Sequence, residues 1–308
     1  MFFVTLKTAM NVTLTGATGF IGTPLVQRLL SRGHSLHLLG HKQPAGLPPS
    51  VEFSIWASTQ DDPPVQALQG ADAIIHLAGE PVAQRWTPEV KQRIRKSRVE
   101  GTLKLAQSLK SLSRLPGVLI CASATGIYGS RGDEELTESS APGDGFLAET
   151  TVEWEKAADF AEALGVRLVK IRTGVVLGKG GGALKKMLPP FRLGLGGPIG
   201  SGRQWMSWIH LDDITGLFLY ALENPLLRGP VNGTAPTPVT NAEFSRELGR
   251  ALHRPAIMWV PEFALKLMFG EMASVVLASQ RVLPKAAREA EYQFKYPELA
   301  PALASIVK

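Results

Sequence analysis

Residues 11–22 read Asn-Val-Thr-Leu-Thr-Gly-Ala-Thr-Gly-Phe-Ile-Gly, and no other stretch narrows the fold as much. A short apolar run enters glycines at 16, 19 and 22. Apolar side chains then recur at helical spacing over 20–32 (Ile21, Leu25, Val26, Leu29, Leu30) and stop at Gly33. Strand, glycine loop and helix in that order give each glycine a job. Gly16 permits the tight turn, Gly19 lets backbone approach a pyrophosphate, and Gly22 lets the helix pack close to the strand. The helix start offers free N–H groups and the positive end of its dipole to an anion. Gly16, Thr18, Gly19, Phe20, Ile21 and Gly22 are therefore the candidate dinucleotide-binding residues.

The pattern continues as alternation. Strands are predicted over 11–15, 35–39, 51–55, 73–77, 118–122 and 166–171, with helices over 87–112 and 149–164. Thr87 opens the first of these with Pro88 at the first helical position. Such alternation implies an α/β fold, a Rossmann-type doubly wound parallel sheet, with its ligand beyond the carboxyl ends of the strands. Past Arg172 the chain becomes rich in Gly and Pro, with a short helix near 184–193, a helix over 214–222, a short strand at 231–232 and mostly helix from Asn241. The expected division is a dinucleotide-binding domain over 10–235, with a cleft-forming insertion about 177–206, and a small C-terminal α+β lobe over 236–308. Residues 1–9 are expected to be a loose extension.

The end of the second strand bears on the cofactor. An acid there would accept from a free ribose 2′-hydroxyl. The chain has Leu38-Leu39-Gly40-His41-Lys42 instead, so His41 and Lys42 favour NADP over NAD. A solvated loop is the rival explanation for both. The segment 174–180, Gly-Val-Val-Leu-Gly-Lys-Gly, imitates a phosphate loop but has three residues between its first glycines where four are needed. It also has Gly180 where a hydroxyl would bind Mg²⁺.

A net charge of +6 raises nucleic acid as a partner, but the basic residues are scattered and the densest group, over 91–98, lies on one helix. A basic cleft for an anionic cofactor or substrate accounts for them equally well. The single cysteine, Cys121, excludes an intrachain disulfide framework and a Cys-rich zinc site, and it fits a reducing, cytoplasmic compartment. No window reaches the ~18 uninterrupted apolar residues of a spanning helix. The expected partner is a small-molecule substrate, with neither nucleic acid nor membrane, and the protein is expected to be a monomer or homodimer.

Thr15-Gly16-Ala17-Thr18-Gly19-Phe20-Ile21-Gly22, then His76-Leu77-Ala78-Gly79, Gly101-Thr102 and Trp208-Ile209-His210-Leu211-Asp212-Asp213 together resemble an extended short-chain dehydrogenase/reductase. A narrower resemblance covers nearly the whole chain. Residues 172–178 and 187–202, with the tail from Asn241 including Arg254-Pro255 and Pro261, are similar to the "epimerase family protein" group, named for nucleoside-diphosphate-sugar epimerases, and to its C-terminal region of unknown function. The resemblance implies bound NADP. It implies that Leu77, Ala78 and Gly79 line the adenosine–ribose side and that Val176 faces the nicotinamide, with a plain core valine as the rival reading of Val176. Arg98 stands where that family usually has Asn, and a guanidinium there can contact phosphate or substrate; an exposed helix arginine paired to a neighbour is the rival explanation.

The family's chemistry uses Ser/Thr with Tyr-x-x-x-Lys, the Tyr serving as acid/base. Ser123 fills the first position. None of the four tyrosines, at 128, 220, 292 and 296, has Lys four residues on, and the expected slot reads Phe146-Leu147-Ala148-Glu149-Thr150. Tyr128, in Ile127-Tyr128-Gly129, is the substitute candidate for the acid/base. His210 is expected to be a buried, hydrogen-bonded residue, and Arg203 is a candidate clamp for an anionic substrate. Two functions fit: an NADP-dependent oxidoreductase or epimerase acting on a small, nucleotide-sugar-like substrate, or a non-catalytic NADP-binding sensor or scaffold.

Overall fold

A computed structural model describes residues 9–307. The extension expected over 1–9 falls, but for its last residue, outside the described residues. Seven strands form the main sheet: β1 (Asn11–Thr15), β2 (Ser35–Gly40), β3 (Val51–Ile55), β4 (Ala73–His76), β5 (Val118–Ala124), β6 (Arg167–Thr173) and β7 (Gly229–Gly233). Their order is β7-β6-β5-β4-β1-β2-β3, and every pair is parallel. The order reverses between β1 and β4, so a crevice opens beyond their carboxyl ends.

Parallel strands are buried on both faces, which is why they read as continuous apolar runs. Successive residues serve opposite layers. Ile75, Ile120 and Val169 join Leu14 beneath helices α1 (Gly22–Ser31) and α5 (Leu211–Glu223). Ile74, Leu119 and Leu168 face Leu105, Leu109 and Ala158 of the opposite layer. That layer is built mainly by α2 (Pro88–Ser108), its one-turn extension over Leu109–Ser111, and α3 (Phe146–Ala163). Leu25 and Leu29 of α1 are fully buried, each worth about 1.5–3 kcal/mol of burial. Thr87 caps α2 by accepting from Val90 N, with Pro88 inside the first turn.

The remainder forms a third cluster around Trp208, Phe244, Leu248 and Leu303. Helices α4 (Gly182–Arg192) and α6 (Asn241–Leu252) and the helix Leu299–Val307 surround it. The tail returns to the sheet domain. Arg281–Val282 pairs in parallel with Glu135–Leu136, and Asp213 accepts from the backbone N–H groups of Lys295 and Tyr296. Tail and sheet domain are therefore interlocked.

Candidate functional site

The glycine loop is built as its residue types require. Gly16 has φ +73°, and a Cβ there would strike the Leu77–Ala78 backbone at 2.7–2.9 Å. A Cβ on Gly22 would overlap the Gly16 carbonyl oxygen, so α1 could not pack this close. Gly19 differs: its Cβ would meet only the Gly16 oxygen, at 3.2 Å. Thr18 and Gly19 are exposed, and the first turn of α1 carries no acid that would repel an anion. The Phe20 ring fills space left by Gly178, Gly181 and Gly182. Of the glycines in the phosphate-loop look-alike, Gly178 thus makes room for an aromatic ring. Ile21 is the N-cap of α1, and Val176 lies half-buried beside Ile209 in a short parallel pair.

A cavity of about 850 Å³ opens above β1, β2 and β4. Its walls bring together Gly16, Thr18 and Gly19, then His41 and Lys42, then Leu77, Ala78 and Gly79. Trp56, Ser58, Arg93 and Lys96 also line it, and the sequence reading missed them. Arg93 and Lys96 share one face of α2 at a spacing of three, a signal available in the sequence. Arg98 stands behind this wall. Its Nη1 donates to the carbonyls of Glu80 (2.9 Å) and Ile94 (3.2 Å), and its guanidinium lies over the Trp154 ring at 5.3 Å. Burial pulls its pKa down to about 10, so it stays charged at neutral pH. A Cβ on Gly79 would stand 3.4 Å from Arg98 Cζ.

The wall at Leu77–Gly79 is fixed from below. Thr15 Oγ1 accepts from the N–H groups of Leu77 and Ala78, both at 3.1 Å. With two N–H donors on that oxygen, its own proton goes to His76 Nδ1 at 2.7 Å. The His76 proton therefore sits on Nε2 and is donated to Thr102 Oγ1 at 3.1 Å, which also accepts from Trp154 Nε1. His76 is fully buried, and burial holds its pKa down to about 4. Gly101 lets α2 approach Ser58, which a Cβ would meet at 3.2 Å. The Gly101-Thr102 pair is thus a packing and hydrogen-bonding device.

Ser123 and Tyr128 lie inside the protein, and neither hydroxyl is free. Ser123 Oγ donates to Glu155 Oε1 at 2.6 Å. Glu155 receives both Nε and Nη2 of Arg172, at 2.8 and 2.9 Å. Arg172 Nη1 donates to the Tyr128 oxygen at 3.0 Å, and Tyr128 donates to Asn232 Oδ1 at 2.7 Å. Burial raises the phenol pKa, so Tyr128 remains a neutral donor. Glu155, Arg172 and Asn232 were not anticipated. Their partners lie 17 to 104 residues away, a separation that leaves no local signature.

Phe146 begins α3, three residues earlier than the sequence predicts, because Gly145 at φ +96° ends the loop. Its ring meets Trp86 edge-on at 5.1 Å in an apolar cluster with Met272, and Lys91 Nζ stands 5.5 Å above it. Thr150 is buried on the same helix. His210 is the N-cap of α5, accepting from Asp212 N, and burial lowers its pKa to about 4. Arg203 is exposed, in the Gly-rich turn before Trp205.

A profile of the NAD-dependent epimerase/dehydratase family matches residues 12–231. The chain belongs to that family. A domain of unknown function (DUF1731) matches residues 260–306. Among the family's members, the chain is 42% identical over 306 residues to the chloroplastic epimerase family protein SDR39U1 homolog of Arabidopsis thaliana, spanning 98% of this chain and 88% of that one. It is 39% identical to the epimerase family protein YfhF of Bacillus subtilis (strain 168), across 97% of this chain and 98% of the relative. A crystal structure of human epimerase family protein SDR39U1 (isoform 2) with NADPH superposes with a TM-score of 0.86. It is 37% identical, over 96% of this chain and 99% of that one. The "epimerase family protein" resemblance drawn from the motifs is the group these relatives carry in their names. Among the described residues no helix is long and apolar enough to cross a membrane.

Proposed function

We propose that the cavity binds NADP(H) and that the protein is an oxidoreductase or epimerase-like member of its family, acting on a small substrate without a tyrosine–lysine pair. The carrying observation is the chemistry of the two walls that meet at the cavity floor. One is a glycine loop exposing Thr18 and Gly19 at the start of an acid-free helix turn; the other is β2 ending in His41 and Lys42 with no carboxylate. The residues fit the group. Gly16, Thr18, Gly19, Phe20, Ile21 and Gly22 form the cradle for the pyrophosphate, and His41 and Lys42 supply positive charge for a 2′-phosphate. Leu77, Ala78 and Gly79 wall the adenosine–ribose side, with Arg98 buttressing Gly79, and Val176 is assigned to the nicotinamide side. The human relative crystallised with NADPH supports the same choice. When bound, the cofactor supplies hydride chemistry.

The protein's own groups orient and shield and do not carry protons at the usual slot, since Phe146 and Thr150 offer neither acid nor ammonium. Ser123 and Tyr128 act here as structural residues. A second reading, a cofactor-binding sensor or scaffold without turnover, is favoured by one observation: the Phe146 ring is packed into an apolar cluster rather than turned to a polar ligand. Calorimetric titration with NADPH and NADH tests the cofactor assignment. NADPH binds more tightly, and His41→Asp erases the preference by like-charge repulsion. Equal affinities in the native protein would sink the assignment.

A further inference from the structure

Two segments far apart in sequence form a single apolar face. Met258 N donates to the Gly196 carbonyl and Val260 N to that of Pro198, so the strip before α7 (Glu262–Phe269) lies along the Gly-rich loop after α4. The fit is close, for a Cβ on Gly197 would overlap the Met258 carbonyl. The side chains on this face point away from the core. Leu193 is 74% exposed, Ile257 81%, Trp259 63%, Phe263 73% and Leu267 77%, with Met268 beside them. Phe263 and Leu267 stand four apart on one face of α7, while Leu265 anchors the opposite face. Large apolar side chains exposed together in this way differ from the single, scattered ones that a monomer ordinarily shows.

The rim decides the occupant. Residues 192–203 contain Arg192 and Arg203 and no acid; residues 246–268 contain Arg246, Arg250, Arg254 and Lys266 against Glu247 and Glu262. Glu247 and Arg250 pair with each other at 2.8 Å, which leaves Arg192, Arg203, Arg246, Arg254 and Lys266 against Glu262. A second copy docked by two-fold symmetry would bring this cationic rim against itself. An anionic surface meets it with opposite charge. Trp259 suits such a boundary, because its indole N–H is satisfied by the Gly200 carbonyl at 2.6 Å and its ring is left outward. Lys266 can bury its stem and keep its charge at headgroup level.

We propose that the face formed by residues 193–195 and 257–268 seats the protein on an anionic lipid bilayer. The sequence set membranes aside because nothing spans one. Lying on a surface needs only an apolar face with a basic border. The proposal does not depend on the cofactor assignment.

Co-sedimentation of the full chain with vesicles tests it. The protein pellets with vesicles of equal parts phosphatidylglycerol and phosphatidylcholine, and raised salt weakens the binding. Vesicles of phosphatidylcholine alone retain little. The triple variant Trp259→Ser, Phe263→Ser and Leu267→Ser loses binding roughly tenfold or more. These side chains are mostly exposed, so the far-ultraviolet circular dichroism stays native and the thermal midpoint falls only by what the Trp259–Gly200 hydrogen bond contributes. Arg254→Glu with Lys266→Glu loses the preference for anionic vesicles while the apolar face is intact. No pelleting with anionic vesicles, or equal pelleting of the triple variant, overturns the proposal. A dimer in sedimentation equilibrium that the triple variant converts to monomer, without vesicle binding, also overturns it and assigns the face to a second copy.

Discussion

Acid should expose the cost of the buried histidine beneath the cleft wall. His76 keeps its folded pKa at about 4, against an ordinary 6.5, because its ring is fully buried and burial penalises the charged form. The unfolded chain binds a proton as pH falls through 6.5; the folded chain does not until about 4. The stabilisation is therefore complete above pH 6.5 and is lost progressively as pH falls to about 4. At about 1.4 kcal/mol per pH unit, the loss is about 3 kcal/mol. Against a typical total of 5–15 kcal/mol, that is enough to move a denaturation midpoint visibly. His210 titrates in the same direction, so a variant is needed to isolate His76. His76→Gln cannot satisfy Thr15 and Thr102 together as the imidazole does, and it should cost about 1–3 kcal/mol at pH 7. It carries no titrating group. Urea unfolding of both proteins from pH 7.5 to 4 should show the native advantage shrinking by about 3 kcal/mol across that window, with the His210 contribution cancelling in the difference. A native-minus-variant difference that stays constant with pH would refute the burial argument.

Gly19→Ala should weaken NADPH binding at least tenfold with little change in thermal midpoint, since its methyl meets one protein atom and otherwise enters the cleft; unaltered affinity by fluorescence titration would contradict the loop's role. Tyr128→Phe should destabilise by about 1–3 kcal/mol, because a buried Asn232 oxygen loses its donor, while cofactor affinity is unchanged. Loss of a turnover activity in that variant without loss of stability would return Tyr128 to catalysis. The native protein should reduce simple carbonyl compounds slowly or not at all, as missing acid–base help is worth ~10²–10⁴-fold. Phe146→Tyr with Thr150→Lys should raise the rate of NADPH consumption, and fast native turnover would show the proton comes from elsewhere.

The sheet was legible because its strands are short apolar runs between turn residues, and their edges fell within a few residues of the expected ones. The glycine loop was legible because three steric demands recur at fixed spacing. Phe146 and Thr150 were identified as an abnormal slot by residue type alone. What the sequence hid was direction and distance. Tyr128 looks like a loop residue facing a ligand, yet its hydroxyl turns inward to partners that approach only when β5, β6 and β7 lie side by side. Alternation along β5 explains why Ser123 points at α3. The exposed face of α7 is equally hidden, since an apolar repeat says a helix has a face and not what meets it.

Asn232 joins parts of the molecule that leave the ribosome at very different times. Its side chain accepts from Tyr128 and donates to the Leu283 carbonyl, while its backbone N–H bonds to Glu138. During synthesis, Arg172 can meet Glu155 almost at once, but the phenol above that pair must wait for β7, and Asn232 in turn for residue 283. Until then Asn232 lacks the carbonyl that its amide nitrogen meets in the finished protein. The segment from Tyr128 to Arg172 therefore completes its hydrogen bonds only when residues 232 and 283 arrive, which makes the last quarter of the chain the clasp of its middle.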